Sequence, residues 1–70
     1  MKYAIDVGAR IRKLRNARDW SIEYLAGRAD LHTTTLQSIE VGQHSPSWKN
    51  LQKIIINGLD ISPADFILSK

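Results

Sequence analysis

The chain has 70 residues, 43% of them hydrophobic, with no cysteine and a formal net charge of +3. That length holds one small domain with a limited core. No disulfide or thiolate metal site can reinforce it, so helix packing and self-association remain as stabilisers. Apolar runs such as Ile54-Ile55-Ile56 are far too short to span a membrane, and the first residues lack the apolar core of a signal peptide. A cytoplasmic protein is therefore expected, which the absence of cysteine suits.

The charge is unevenly spread. Over residues 1–28, seven cations (Lys2, Arg10, Arg12, Lys13, Arg15, Arg18, Arg28) face Asp6, Asp19 and Glu23, a balance of +4. From residue 29 onward Lys49, Lys53 and Lys70 face Asp30, Glu40, Asp60 and Asp65, a balance of −1. A basic balance favours a polyanionic partner, while the blander account is a solvated helix face.

Residues 1–5 read as an arm with little structure. Asp6 caps a first helix running to about Arg18, with Val7, Ile11 and Leu14 as its apolar stripe. Asp19 follows that helix, and Trp20 is expected in the core. Ser21 caps a second helix, with Glu23 placing negative charge at its positive end. Gly27 is expected on that helix's outer face.

The stretch 22–41 organises the rest. Leu25, Ala26 and Ala29 recur at helical spacing, then Leu36 and Ile39 do so again after the break at Asp30-Leu31-His32. Two helices joined by so short a corner form a helix-turn-helix, whose second helix enters the DNA major groove. That helix begins at His32 or Thr33. Three successive threonines are poor helix formers, which points to a contact rather than to packing. Gly42 stops the helix in a left-handed conformation. Gln43-His44-Ser45 is a loop, and a fourth helix starts at Pro46-Ser47 with Ser47 as cap. Ser62 and Pro63 open a short fifth helix with Phe66 and Ile67 as apolar positions. No period-two pattern is long enough for a strand.

The ordered set Val7-Gly8-Ala9-Arg10-Ile11-Arg12-Lys13-Leu14-Arg15, Ser21 to Ala26, Ile39-Glu40-Val41-Gly42, Pro46-Ser47 and Leu51 resembles the phage-repressor, Cro and Xre-type helix-turn-helix family over about nine-tenths of the chain. The resemblance implies an all-α, five-helix, lambda-repressor-like DNA-binding domain over residues 1–70, with its helix-turn-helix core at about 21–41. Asp19 and Asp30 stand where the family often has Gly, which implies left-handed corners that Asp tolerates better than most. A further departure lies in helix four. Leu59 and Ile61 fall one residue later than the family pattern, so an extra residue lies within 54–58. It is absorbed either as a π-bulge or by an early stop at Gly58, and the sequence leaves both open.

By this resemblance, Thr33, Thr34, Gln37 and Ser38 contact bases. Gln can bond adenine bidentately, and Thr can meet a thymine methyl or donate its hydroxyl. Phosphate contacts are expected from Ser21, Ile22, His32, Gln43, His44, Ser47, Lys49 and Asn50, around helix termini and the loop. The family usually has Gln in place of Ile22, whose side chain cannot hold a phosphate. Arg10, Arg12 and Lys13 read as solvated helix-one charges, with a phosphate contact from any one of them as the less favoured alternative. Arg15 and Glu40 are expected to form a buried ion pair that fixes the recognition helix against helix one.

His32 and His44, twelve apart without a carboxylate cluster, make no metal site, and no phosphate-binding glycine loop or nucleophile–base spacing is present. No cofactor, small-molecule ligand or enzymatic activity is expected. The surplus apolar residues suggest a homodimer through residues 54–68, with Ile56, Ile61, Phe66 and Ile67 in its surface. The expected function is a transcriptional regulator acting on duplex DNA, a repressor or controller at a pseudo-palindromic operator. With the chain running out just after helix five, regulation is expected from protein concentration, site arrangement or a partner. The alternative is a protein-interaction module of the same fold, an antitoxin or adaptor, with DNA secondary.

Overall fold

The structure, a computed structural model, describes residues 6–68. The arm expected at residues 1–5 lies outside them. Five α-helices follow in order: α1 (Val7–Ala17), α2 (Ile22–Ala29), α3 (Thr33–Glu40), α4 (Trp48–Gln52) and α5 (Pro63–Leu68). A π-helical segment, Lys53–Gly58, continues α4. No strand occurs among the described residues.

The helix starts are local hydrogen-bond events. Asp6 Oδ1 accepts from the Ala9 N–H at 3.1 Å, Ser21 Oγ from Tyr24 at 3.0 Å, Ser47 Oγ from Asn50 at 3.1 Å, and Ser62 Oγ from Asp65 at 3.1 Å. Each satisfies one of the N–H groups that a helix start leaves unpaired. α3 differs: His32 occupies its cap position and makes no side-chain cap bond. The corners behave as their chemistry demands. Asp19 and Asp30 both take φ 57°, and Gly42 takes φ 83°. A third aspartate, Asp60, takes φ 58° between the π-segment and α5, a corner with no glycine signal in the sequence.

One apolar core joins every element except α4, with Ile11, Leu25, Ala26, Ala29, Leu36, Ile39, Ile54, Ile55, Leu59 and Phe66 all buried. Leu51 of α4 packs against it from the side. Phe66 is 2% exposed, so it belongs to this core and cannot be surface as the sequence suggested. It lies on the inward face of a six-residue helix that has little else to anchor it. Ile61 is also half-buried on the core. Trp20 is likewise less central than expected: it packs on the core but stays half-exposed. Gly27 has open space around it, as its outer position requires.

The extra residue is taken up by the π-segment. Its mark is the bond from the Leu59 N–H to Ile54 O at 2.8 Å, five residues apart. Gly58 comes so close to α2 that a Cβ there would lie 2.8 Å from Leu25 Cδ1 and 3.5 Å from Ala29 Cβ. A continuous α-helix would turn this segment differently. The wider turn lets Ile54, Ile55, Gly58 and Leu59 all be buried.

Candidate nucleic-acid interface

α3 is held from behind. Arg15 Nε donates to Glu40 Oε2 at 2.8 Å and Arg15 Nη2 donates to Glu40 Oε1 at 2.9 Å, the paired geometry that suits a guanidinium and a carboxylate. A third donation, Arg15 Nη1 to the Trp20 carbonyl at 2.8 Å, ties in the corner before α2. The Glu40 side chain is 3% exposed and that of Arg15 13%. The hydrogen bond to Glu40 outweighs the cost of burial and keeps Arg15 charged even more firmly than usual. Gly8 brings α1 still closer, since a Cβ at that position would collide with the Ile39 carbonyl oxygen. α1 and α3 therefore meet through a paired charge and a backbone contact.

With Leu36 and Ile39 buried behind it, α3 turns Thr34 and Gln37 fully outward, and Thr33 and Ser38 are half-exposed at their sides. Thr34, Gln37, Ser38, Val41 and Gln43 line one shallow hollow, and Thr34, Thr35, Ser38 and His44 line another beside it. The fold thus gathers three of the four expected base-contacting residues, with Gln43 and His44 of the following loop, on one surface. Thr35, one of the three threonines read as serving a contact, belongs to the same surface, and so does Val41, for which no contact was expected. Val41, 55% exposed at the end of α3, breaks the apolar-inward pattern there, which was the available signal.

The expected phosphate contacts are more varied. Ser21, His32, Gln43, His44, Ser47 and Lys49 are exposed, while Asn50 is half-buried. The Ser21 and Ser47 oxygens accept cap bonds, which leaves each hydroxyl proton free to donate elsewhere. Ile22 is half-buried against the core, so only its backbone could serve an anion.

Arg10, read from the sequence as a solvated charge, is instead tied to main-chain carbonyls, and Arg18 and Arg28 are bonded in the same way. Arg10 Nη1 donates to the Phe66 and Ile67 carbonyls at 3.2 and 3.3 Å. Arg18 donates to Leu14 O at 2.9 Å and Leu59 O at 3.3 Å, and Arg28 Nε to Gly58 O at 2.6 Å. Arg28 also lies over the Trp20 ring at 4.7 Å, Arg18 near it at 5.6 Å, and Tyr24 meets Trp20 edge-on at 4.9 Å. These cations close the C-terminal ends of the π-segment and α5, where bare carbonyls attract positive charge. Among the described residues no cluster of side chains could hold a metal ion, and no helix is long and apolar enough to cross a membrane.

A five-helix all-α bundle whose third helix shows a polar outer face over a short corner from the second is a helix-turn-helix fold of the lambda-repressor type. Residues 11–66 match the family described as helix-turn-helix. The chain belongs to that Xre/Cro-type family of DNA-binding transcriptional regulators, which is not enzymatic. A crystal structure of a point mutant of the restriction–modification controller protein C.Esp1396I is similar, with a TM-score of 0.83 at 29% identity, over 89% of this chain and 79% of that one. Uncharacterized HTH-type transcriptional regulators of Mycobacterium bovis and Mycobacterium tuberculosis are 39% identical over 59 residues, 84% of this chain. The chain spans only 23% of the length of those relatives.

Proposed function

We propose that this chain binds a specific duplex as a homodimer and regulates transcription, a repressor or controller at a pseudo-palindromic operator. α3 would lie in the major groove, with Thr33, Thr34, Gln37 and Ser38 at base edges. The observation that carries this reading is the outward pair Thr34 and Gln37 on a helix locked from behind by Arg15 and Glu40. Neither is charged, so discrimination would come from hydrogen bonds and methyl contacts. The similar controller protein and HTH-type regulators support the regulatory role.

The homodimer is supported by exposed apolar side chains at the C-terminal end: Ile56 is 44% exposed, Ile67 55% and Leu68 72%. Phe66 has left this set for the core. A two-fold dimer would set two copies of α3 about 34 Å apart, one turn of DNA. Such a regulator would work in the cytoplasm of a prokaryotic cell, alongside its DNA.

Fluorescence anisotropy tests the reading, with the duplex upstream of the chain's own gene against a scrambled one at several salt concentrations. A preference of orders of magnitude is expected. Thr34→Ala and Gln37→Ala should each relax discrimination at one base pair by about 1–3 kcal/mol. Equal, weak binding to both duplexes, together with a stable complex with another protein, would favour an interaction module.

A further inference from the structure

The +4 balance of residues 1–28 is not a basic patch. Arg10, Arg18 and Arg28 are spent on main-chain carbonyls, and Arg15 on Glu40 and a carbonyl. Among the described residues of that stretch, this leaves two cations with no hydrogen-bond or ion-pair partner, Arg12 and Lys13, both exposed on α1. They differ in where they stand. Arg12 lines a shallow hollow with Arg15, Ile22, Gln37, Glu40 and Val41; Lys13 does not.

That hollow joins the polar face of α3. Gln37 and Val41 line both it and the neighbouring hollow that holds Thr34. Inside it, Glu40 is committed to Arg15, and Ile22 brings no side-chain donor. Glu23 acts on Arg15 through its charge but does not line the hollow. Arg12 therefore supplies an unneutralised guanidinium, with its planar fork of donors free, at the edge of the base-reading surface. A phosphodiester is what such a fork fits.

We infer that Arg12 is a phosphate-contacting residue of this interface, reaching from α1 to the DNA backbone beside Gln37. The inference rests on the DNA-binding reading above. It assigns a contact to α1, where the sequence favours solvated charges at Arg10, Arg12 and Lys13, and it separates Arg12 from its neighbour Lys13.

The test is a salt titration by anisotropy with the full chain. Wild type, Arg12→Gln, Arg12→Lys and Lys13→Gln are each measured on a duplex selected from random-sequence DNA by the wild-type protein, and on a scrambled duplex. Removing one phosphate contact should weaken binding to both duplexes by the same factor and flatten the slope of log K against log salt by about 0.9. Arg12→Lys should keep the slope, Lys13→Gln should leave it unchanged, and all four proteins should melt alike. A wild-type slope in Arg12→Gln, or an equal flattening in Lys13→Gln, overturns the assignment to Arg12 while leaving the DNA reading intact. A wild-type protein that selects no duplex overturns both.

Discussion

The two halves of this molecule solve the same problem by different means. Between α1 and α3, position is fixed by a buried charge pair and by Gly8 lying against the Ile39 carbonyl. Between α2 and the C-terminal half, it is fixed by a π-turn, by Gly58 against Leu25, and by arginines bonded to the carbonyls of Gly58 and Leu59. The first arrangement tolerates little change, because a lone carboxylate in the core has no water to fall back on. The second is more yielding: its hydrogen bonds go to neutral carbonyls, and the atom nearest a Cβ at Gly58 is the end of a side chain, Leu25 Cδ1, rather than backbone. α3 is thus set on the stiffer side, while the exposed apolar residues stand on the more adaptable one.

The sharpest way to break that contrast is Glu40→Ala. It strands Arg15 and should cost about 3–5 kcal/mol, enough to unfold much of a domain this small. Urea denaturation would show it, and near-native stability would mean that the pair does not hold α3. Replacing both residues together, Arg15→Met with Glu40→Leu, should recover most of the loss, because shape without charge can serve as well. Next comes Gly8→Ala, expected to cost about 1–3 kcal/mol as backbone is pushed against backbone. A melting temperature within a degree of wild type would show that α1 and α3 can part freely.

Arg28→Ala probes the other half. It removes the bond to Gly58 O and the stacking on Trp20, for about 1–2 kcal/mol in thermal melts. A larger loss than that of Gly8→Ala would reverse the proposed order of stiffness. The smallest effect should be a gain: Asp30→Gly relieves a left-handed aspartate and should add roughly 0.5 kcal/mol, a rise of a few degrees in melting temperature. A fall instead would mean that the carboxylate does more at the corner than accept its backbone angle.

Legibility in the sequence followed the range of the forces involved. The caps at Asp6, Ser21, Ser47 and Ser62 could be read because each bond spans three residues. The left-handed corners at Asp19 and Asp30 could be read because the family that the chain resembles often has Gly at both. Asp60 escaped because the period itself fails just before it. Phe66 and Ile67 looked alike, as adjacent apolar residues on a short helix, and only packing sent one into the core and the other outward. Arg10, Arg12, Arg18 and Arg28 looked alike too, and the partners of those that have one lie up to 57 residues away.

By itself, then, the sequence determined the helix order, the capped starts, the corner between α2 and α3, and the Thr34–Gln37 face, because periodicity and capping act over a few residues. The tertiary structure decided between a π-turn and an early stop at Gly58, since only the buried face of α2 says where Ile54, Ile55 and Leu59 must lie. It also decided which arginines are spent on carbonyls and which one faces the hollow beside Gln37, because a guanidinium's role depends on what the fold brings within its reach.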